Sequence, residues 1–329
     1  MRNRILISVI FCFCLHYAKA QQTPIYSQYV LNEFIINPSV AGSDGMTSIN
    51  LTGRKQWLGW EFAPETYSAS VSARILKWRS PMVNRKKPGT SSIKKGPSGR
   101  VGLGASVIKD RNGAVNKTSL NLSYAYHISM HNSQLSFGLS LLMNQFHIDK
   151  ELAQVGDPSD PVNALIGSST YSPDAAFGID YSRPKYHVGI SAFNLFQSPV
   201  KFGAQSVRYR ELQQLRHYYL LATYKNTFIS SPKWEYEPAI VARGNEKLQG
   251  SAELSVRFIY DRQYWFGLSY RTSNEFIILM GLKLNKFYFG YSFDYGFNDI
   301  SQFTYGSHEI VMAIKLGDNT RRYRWWERY

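Results

Sequence analysis

The chain has 329 residues, with 38 Lys and Arg against 23 Asp and Glu for a formal charge of +15, and it carries 23 Tyr, 19 Phe and 7 Trp. Its mean hydropathy is nonetheless slightly negative, and beyond the leader no apolar run approaches the roughly 20 residues of a spanning helix, so a helical membrane protein is excluded. So strong a positive charge suggests a nucleic-acid binder, but the basic residues cluster at 77–100 and 315–328 rather than forming one binding stripe. Basic groups so placed suit anionic lipid head groups, an acidic partner or plain solvation.

Residues 1–20 read as a secretory signal: Arg2 and Arg4, an apolar run from Ile5 to Leu15, and Ala18, Lys19, Ala20 before a cleavage at Gln21. The apolar run is too short for a membrane anchor. Cys12 and Cys14 both lie within it, and bulky Phe11 and Phe13 precede them where lipid-attachment signals use small residues. The exported chain therefore has neither disulfide nor lipid anchor and keeps a charge of +12, with 35 basic and 23 acidic residues.

Residues 21–45 lack sustained alternation and form an N-terminal periplasmic or plug-like segment. Either Asn37 and Pro38 anchor it inside the barrel described next and occlude the lumen, or it is a lead-in that merely packs.

From 46 to 317 the pattern has period two, the spacing of a strand with one apolar face. Segments of this kind begin near Met46, Tyr67, Arg100, Lys117, Gln134, Asp174, Lys185, Leu215, Lys233, Leu248, Gln263, Glu275, Lys286 and Tyr305. In 119–128, Leu120, Leu122, Tyr124, Tyr126 and Ile128 oppose Ser119, Asn121, Ser123, Ala125 and His127. In 251–260, Leu254, Val256, Phe258 and Tyr260 oppose Glu253, Ser255 and Arg257. Phe287, Phe289, Tyr291, Phe293 and Tyr295 form a face that would aggregate in water but is at home in a bilayer.

The predicted fold is thus an all-β, transmembrane, antiparallel up-and-down β-barrel of about 14 strands. A soluble β-sandwich would need far more polar exteriors. With a periplasmic N-terminus, connections after even-numbered strands face the periplasm, with short turns at Met130–Ser133, Arg183 with Pro184, Asp261 with Arg262, and Asn285, and those after odd-numbered strands are predicted to be longer surface loops, as at Asp149–Pro173 and Phe196–Gln214. The connection 77–99, with Arg85, Lys86, Lys87, Lys94 and Lys95, breaks that rule as either a linker or a docking arm.

Trp57, Trp60, Phe62 and Pro64 occupy the first surface turn, where they either anchor at the interface or hold a secreted domain. Inward Glu253, Arg257, Arg271, Lys283, Asp294 and Lys315 either line a water channel or cross-pair within the lumen. The tail 318–329 carries Arg321, Arg322, Arg324, Trp325 and Trp326, a periplasmic set suited to the inner leaflet or to a protein partner.

No catalytic, cofactor or metal constellation stands out. His308 and Glu309 lack the second histidine of a zinc helix, and His127 and His131 straddle a strand end. Gly102 and Gly104 are followed by Val107 in the third glycine's place, so they read as strand glycines easing curvature.

Several segments resemble the PorP/SprF family of Bacteroidetes outer-membrane proteins. These are Gln28–Asn32 running into Ile36–Gly42, then Arg54, Gln56, Trp57, Gly59, Ala63, Pro64 and Thr66, then Gly102–Gly104 with Asp110 and Gly113, and Tyr124–Tyr126. Late in the chain come Gly290–Ser292, Asp294 and Gly306–Glu309. Glu33 stands where the family often has proline, and the long basic connection and aromatic tail also depart from its pattern.

What the resemblance implies is a non-enzymatic accessory of type IX secretion or gliding motility in the bacterial outer membrane. Its implied partners are outer-membrane lipid, other secretion components, periplasmic or peptidoglycan-anchored subunits, and a secreted adhesin or its C-terminal sorting domain. No nucleic acid or cofactor is implied. A porin-like passive channel for small solutes is the alternative.

Overall fold

A computed structural model describes residues 25–75, 100–130, 132–150, 152, 167–200, 214–297 and 299–317. The expected signal segment, the basic connection 77–99 and the tail with Arg321, Arg322, Arg324, Trp325 and Trp326 lie outside the described residues.

Two short 3₁₀ turns, Tyr29–Ile35 and Pro38–Val40, precede the strands. The strands are β1 Thr47–Lys55, β2 Glu65–Ile75, β3 Val101–Asn112, β4 Val115–Met130, β5 Ser133–Ile148, β6 Ser169–Ser182, β7 Tyr186–Phe193, β8 His217–Tyr224 and β9 Asn226–Phe228. They continue as β10 Ser231–Asn245, β11 Gly250–Tyr260, β12 Tyr264–Arg271, β13 Glu275–Leu284, β14 Phe287–Gly296 and β15 Ser307–Leu316. Each pairs antiparallel with its neighbours, and β1 pairs with β15 along its whole length, so the sheet closes on itself.

β8 and β9 lie in line against β10, making one interrupted wall strand, so the barrel has fourteen. Pro238 accounts for the break. It lies between the last β8 pairing, Ala239 with Thr223, and the first β9 pairing, Tyr236 with Asn226, and proline has no N–H to give the ladder.

Alternation places the faces as the period-two reading requires. On β2, Tyr67, Val71 and Ile75 are exposed while Thr66, Ser68, Ser70, Ser72 and Arg74 are buried. That inversion of the soluble pattern, polar within and apolar without, suits a wall that faces hydrocarbon and excludes the sandwich.

We call the end of the barrel holding the connection 56–64 the upper end. Lower connections are short at 131–132, 183–185, 261–263 and 285–286, and positive φ at Asp261, Arg262 and Asn285 gives hairpin turns whose twist matches the strands. Two expectations are corrected. Upper connections are not uniformly long: β3 turns into β4 over 113–114, with Gly113 at φ +56°. Strand β6 begins at Ser169 and runs through Pro173, opposite Met143. β7 pairs only with residues from Ala176 onward, so at Pro173 no β7 ladder bond is lost for want of an N–H; there residues 196–198 bond instead to the side chains of Ser172 and Asp174.

Candidate functional site: the lumen and its inner segment

Residues 25–45 run down through the barrel, from the level of Arg54 near the top of β1 to that of Arg74 near the foot of β2. Two kinds of wall residue make that path.

Glycines give the room. A Cβ on Gly102 would stand 1.9 Å from the Ala41 carbonyl oxygen, one on Gly138 2.2 Å from the Ser39 nitrogen, and one on Gly178 2.1 Å from Asn37 Oδ1. On Gly104 it would meet the Phe34 ring at 2.4 Å. Gly102 and Gly104, read from sequence as easing curvature, are therefore close-approach glycines.

Polar side chains supply the partners. Asn37 donates from Nδ2 to the Ile179 carbonyl at 3.2 Å, and its Oδ1 accepts from the Ser39 amide and hydroxyl, capping the turn that begins at fully buried Pro38. A nitrogen of the His127 ring lies 3.0 Å from the Ala41 carbonyl oxygen, and Arg74 donates to the Ser43 carbonyl at 3.2 Å. Irregular backbone inside a barrel needs such partners, since no solvent replaces them.

At the upper level the wall and the segment share one charged cluster. Glu309 accepts the backbone amides of Ser27 and Gln28, each at 2.9 Å, and pairs with Arg54 at 3.1 Å. Arg54 reaches Asp294 at 2.7 Å, and Ser27 Oγ donates to the same carboxylate. Arg271 meets Glu253 at 2.8 Å, pairs with Glu275 and donates to Ser27 Oγ at 3.1 Å. Arg257 pairs with Glu237 at 2.8 Å. Of the two arrangements open for the inward charges, cross-pairing is therefore the one observed for Glu253, Arg257, Arg271 and Asp294. Lys315 also finds a carboxylate, Asp44, at 3.4 Å.

Apolar side chains of the segment fill what remains. Leu31 packs with Ile259, Trp265, Tyr288 and Val311, while Tyr29, Val30 and Ile36 pack with Leu221 and Val241. A cavity of about 70 Å³ lies beside Tyr26 and Ile36, with Asp110, Lys117 and His217 in its wall. A water-filled channel would wet the charged cluster, yet Glu253 and Arg271 are 0% exposed and Glu309 1%.

The upper turn 56–64 holds Trp57 half-buried at φ +47° and leaves Trp60 and Phe62 exposed. Pro64 accepts from the Gln56 amide at 2.9 Å. The turn is laced to the β14–β15 connection by Leu58 N–H to the Gly306 carbonyl at 2.8 Å and Tyr305 N–H to the Leu58 carbonyl at 2.7 Å. Asn37 and Pro38 lie in the lumen, apart from this turn, so the expected binding residues fall in two places. Arg54, Arg74 and Glu309, which do most to hold the segment, were not singled out as functional by their sequence positions, because their partners are distant in the chain.

A family model described as type IX secretion system membrane protein PorP/SprF matches residues 18–314. No curated protein sequence matches the chain. Among solved structures, Omp33 of Acinetobacter baumannii aligns at 8% identity over 84% of this chain and 100% of its own, with a TM-score of 0.42. The toluene transporter TbuX of Ralstonia pickettii aligns at 9% identity over 86% and 92%, with a TM-score of 0.47.

Proposed function

The chain belongs to the PorP/SprF family of type IX secretion system membrane proteins, and from that premise we propose that it is a non-enzymatic accessory that holds an exported adhesin-type substrate at the cell surface while its lumen stays closed. It is an outer-membrane barrel of the secretion machinery.

The observation that carries the reading is the inner segment. Residues 25–45 occupy the space a porin leaves to water, and their partners come from wall strands all around the barrel. A protein so filled is poorly suited to passing small solutes and well suited to presenting a rigid outer rim. Trp57, Trp60, Phe62 and Pro64 on that rim are the residues we assign to the substrate or its C-terminal sorting domain. Asn37 and Pro38 anchor the closure. Arg321, Arg322, Arg324, Trp325 and Trp326 are assigned to a periplasmic or peptidoglycan-anchored subunit.

Affinity purification after gentle detergent extraction tests the proposal. Secretion components and a surface adhesin should come down with the barrel. A lone barrel that conducts ions in a planar bilayer would favour the channel reading instead.

A further inference from the structure

The outward face of the barrel is apolar and aromatic almost throughout, which makes its exceptions informative. At outward positions of the described strands, the Lys, Arg, Asp and Glu residues are Lys55, Glu65, Lys109 and Arg111. All four lie together at the upper end of three adjacent strands: Lys55 is opposite Glu65, Glu65 opposite Arg111, and Tyr67 opposite Lys109. Lys55 and Glu65 neutralise one another at 2.7 Å. Arg111, opposite Glu65 and attracted to its carboxylate, also donates a hydrogen bond to Asn116, and Lys109 has no ion-pair partner among the described residues, so three cations share one anion. Two positive charges therefore remain at the border of the apolar band.

Directly below them the wall is notched. Gly53 and Ala69 make its floor, Ile310 and Met312 one side, and Tyr67 and Val107 the other, with Lys109 at its upper margin; the groove measures about 470 Å³. Small residues at two outward positions leave a trough that the surrounding bulky side chains do not fill.

We propose that this notch seats an acyl chain of a phosphorylated lipid of the outer leaflet, with Lys109 and Arg111 holding its phosphate. An acyl chain fills an apolar trough that would otherwise pack poorly against hydrocarbon. The two cations stand where the head group of that chain must emerge, and long basic side chains at this depth extend their charge toward the head-group layer. The phosphate offers what Lys109 lacks, a compact anionic acceptor.

Native mass spectrometry of the full barrel in detergent tests the site, using bis-phosphorylated lipid A, its dephosphorylated form and inorganic phosphate as probes. One lipid A should bind the wild type, and binding should weaken at least tenfold in the double variant Lys109→Gln with Arg111→Gln, and likewise when the lipid lacks phosphate. Gly53→Leu should abolish it by filling the trough. A Cβ on Gly53 meets only the Tyr67 ring, at 3.6 Å, so the barrel accommodates the change, and Ala69→Leu serves as an independent second filling. Equal lipid binding by wild type, charge variant and both filled variants overturns the proposal. Displacement of the lipid by inorganic phosphate alone, or a barrel dimer formed through this face in place of bound lipid, also overturns it.

Discussion

Arg54 Nη2 stands 2.7 Å from Asp294 Oδ2, joining β1 to β14 across the intervening β15. Glu309 of that middle strand takes Arg54 Nη1 and two backbone amides of the inner segment. One arginine thus connects the first strand, the last two and the segment they enclose. Fully buried pairs of this kind add little net stability but are costly to break one-sidedly.

Replacing Arg54 by Met should therefore destabilise the barrel by about 3–5 kcal/mol, since Glu309 loses its cation while still buried and Asp294 keeps only the longer ion contact, to Arg271 at 3.6 Å. Loss of the heat-resistant fast-migrating band on gels, at a lower temperature than wild type, is the readout. An unchanged transition would mean that the pair does not hold the wall.

Gly138→Val should push the segment off the wall. Its Cβ would lie 2.2 Å from the Ser39 nitrogen and 2.4 Å from the Pro38 carbonyl carbon, and overpacking of this kind costs about 1–3 kcal/mol. Chymotrypsin should then cleave near Tyr29 or Phe34, both protected in wild type, while Gly53→Ala on the outer face leaves protection intact.

Deleting residues 22–43 should raise single-channel conductance in planar bilayers well above the wild-type level. The deletion removes the side chains that pack against Leu221, Val241 and Val311, leaving a polar-walled passage. Conductance equal to that of the intact chain would remove the closure from the functional reading.

Alanine at Trp57 and Trp60 should release the bound substrate into the medium without lowering barrel abundance, because Trp60 is 48% exposed and the turn is held by backbone bonds to the β14–β15 connection. Surface immunoblots paired with medium fractions measure both quantities. Substrate retained at wild-type levels would shift the assignment away from this rim.

The wall was legible in the sequence because strand periodicity is a local property: Leu120 to Ile128 and Phe287 to Tyr295 each declare their outward face within ten residues. Turn chemistry marked Asp261 with Arg262 and Asn285 for the same reason. Pro173 misled, since its acceptability depends on whether a neighbouring strand reaches that level. The lumen was harder to read. Ser27 meets Glu309 across 282 positions, and no local pattern encodes that meeting. Gly102 and Gly138 look like ordinary strand glycines until the backbone they admit is in view. The motifs that carried the family resemblance are the partial exception, because Gln28, Asn37, Arg54, Gly102, Gly290, Asp294 and Glu309 converge on the inner segment.

Because the segment is bonded to Glu309 on β15 as well as to Ile179 on β6, its full set of partners exists only while β15 lies beside β1. Holding the interior and holding the seam are therefore energetically coupled: whatever loosens the last strand frees the upper end of the segment. A variant with a weakened seam should expose its amino-terminal stretch at a lower temperature than the rest of the wall melts.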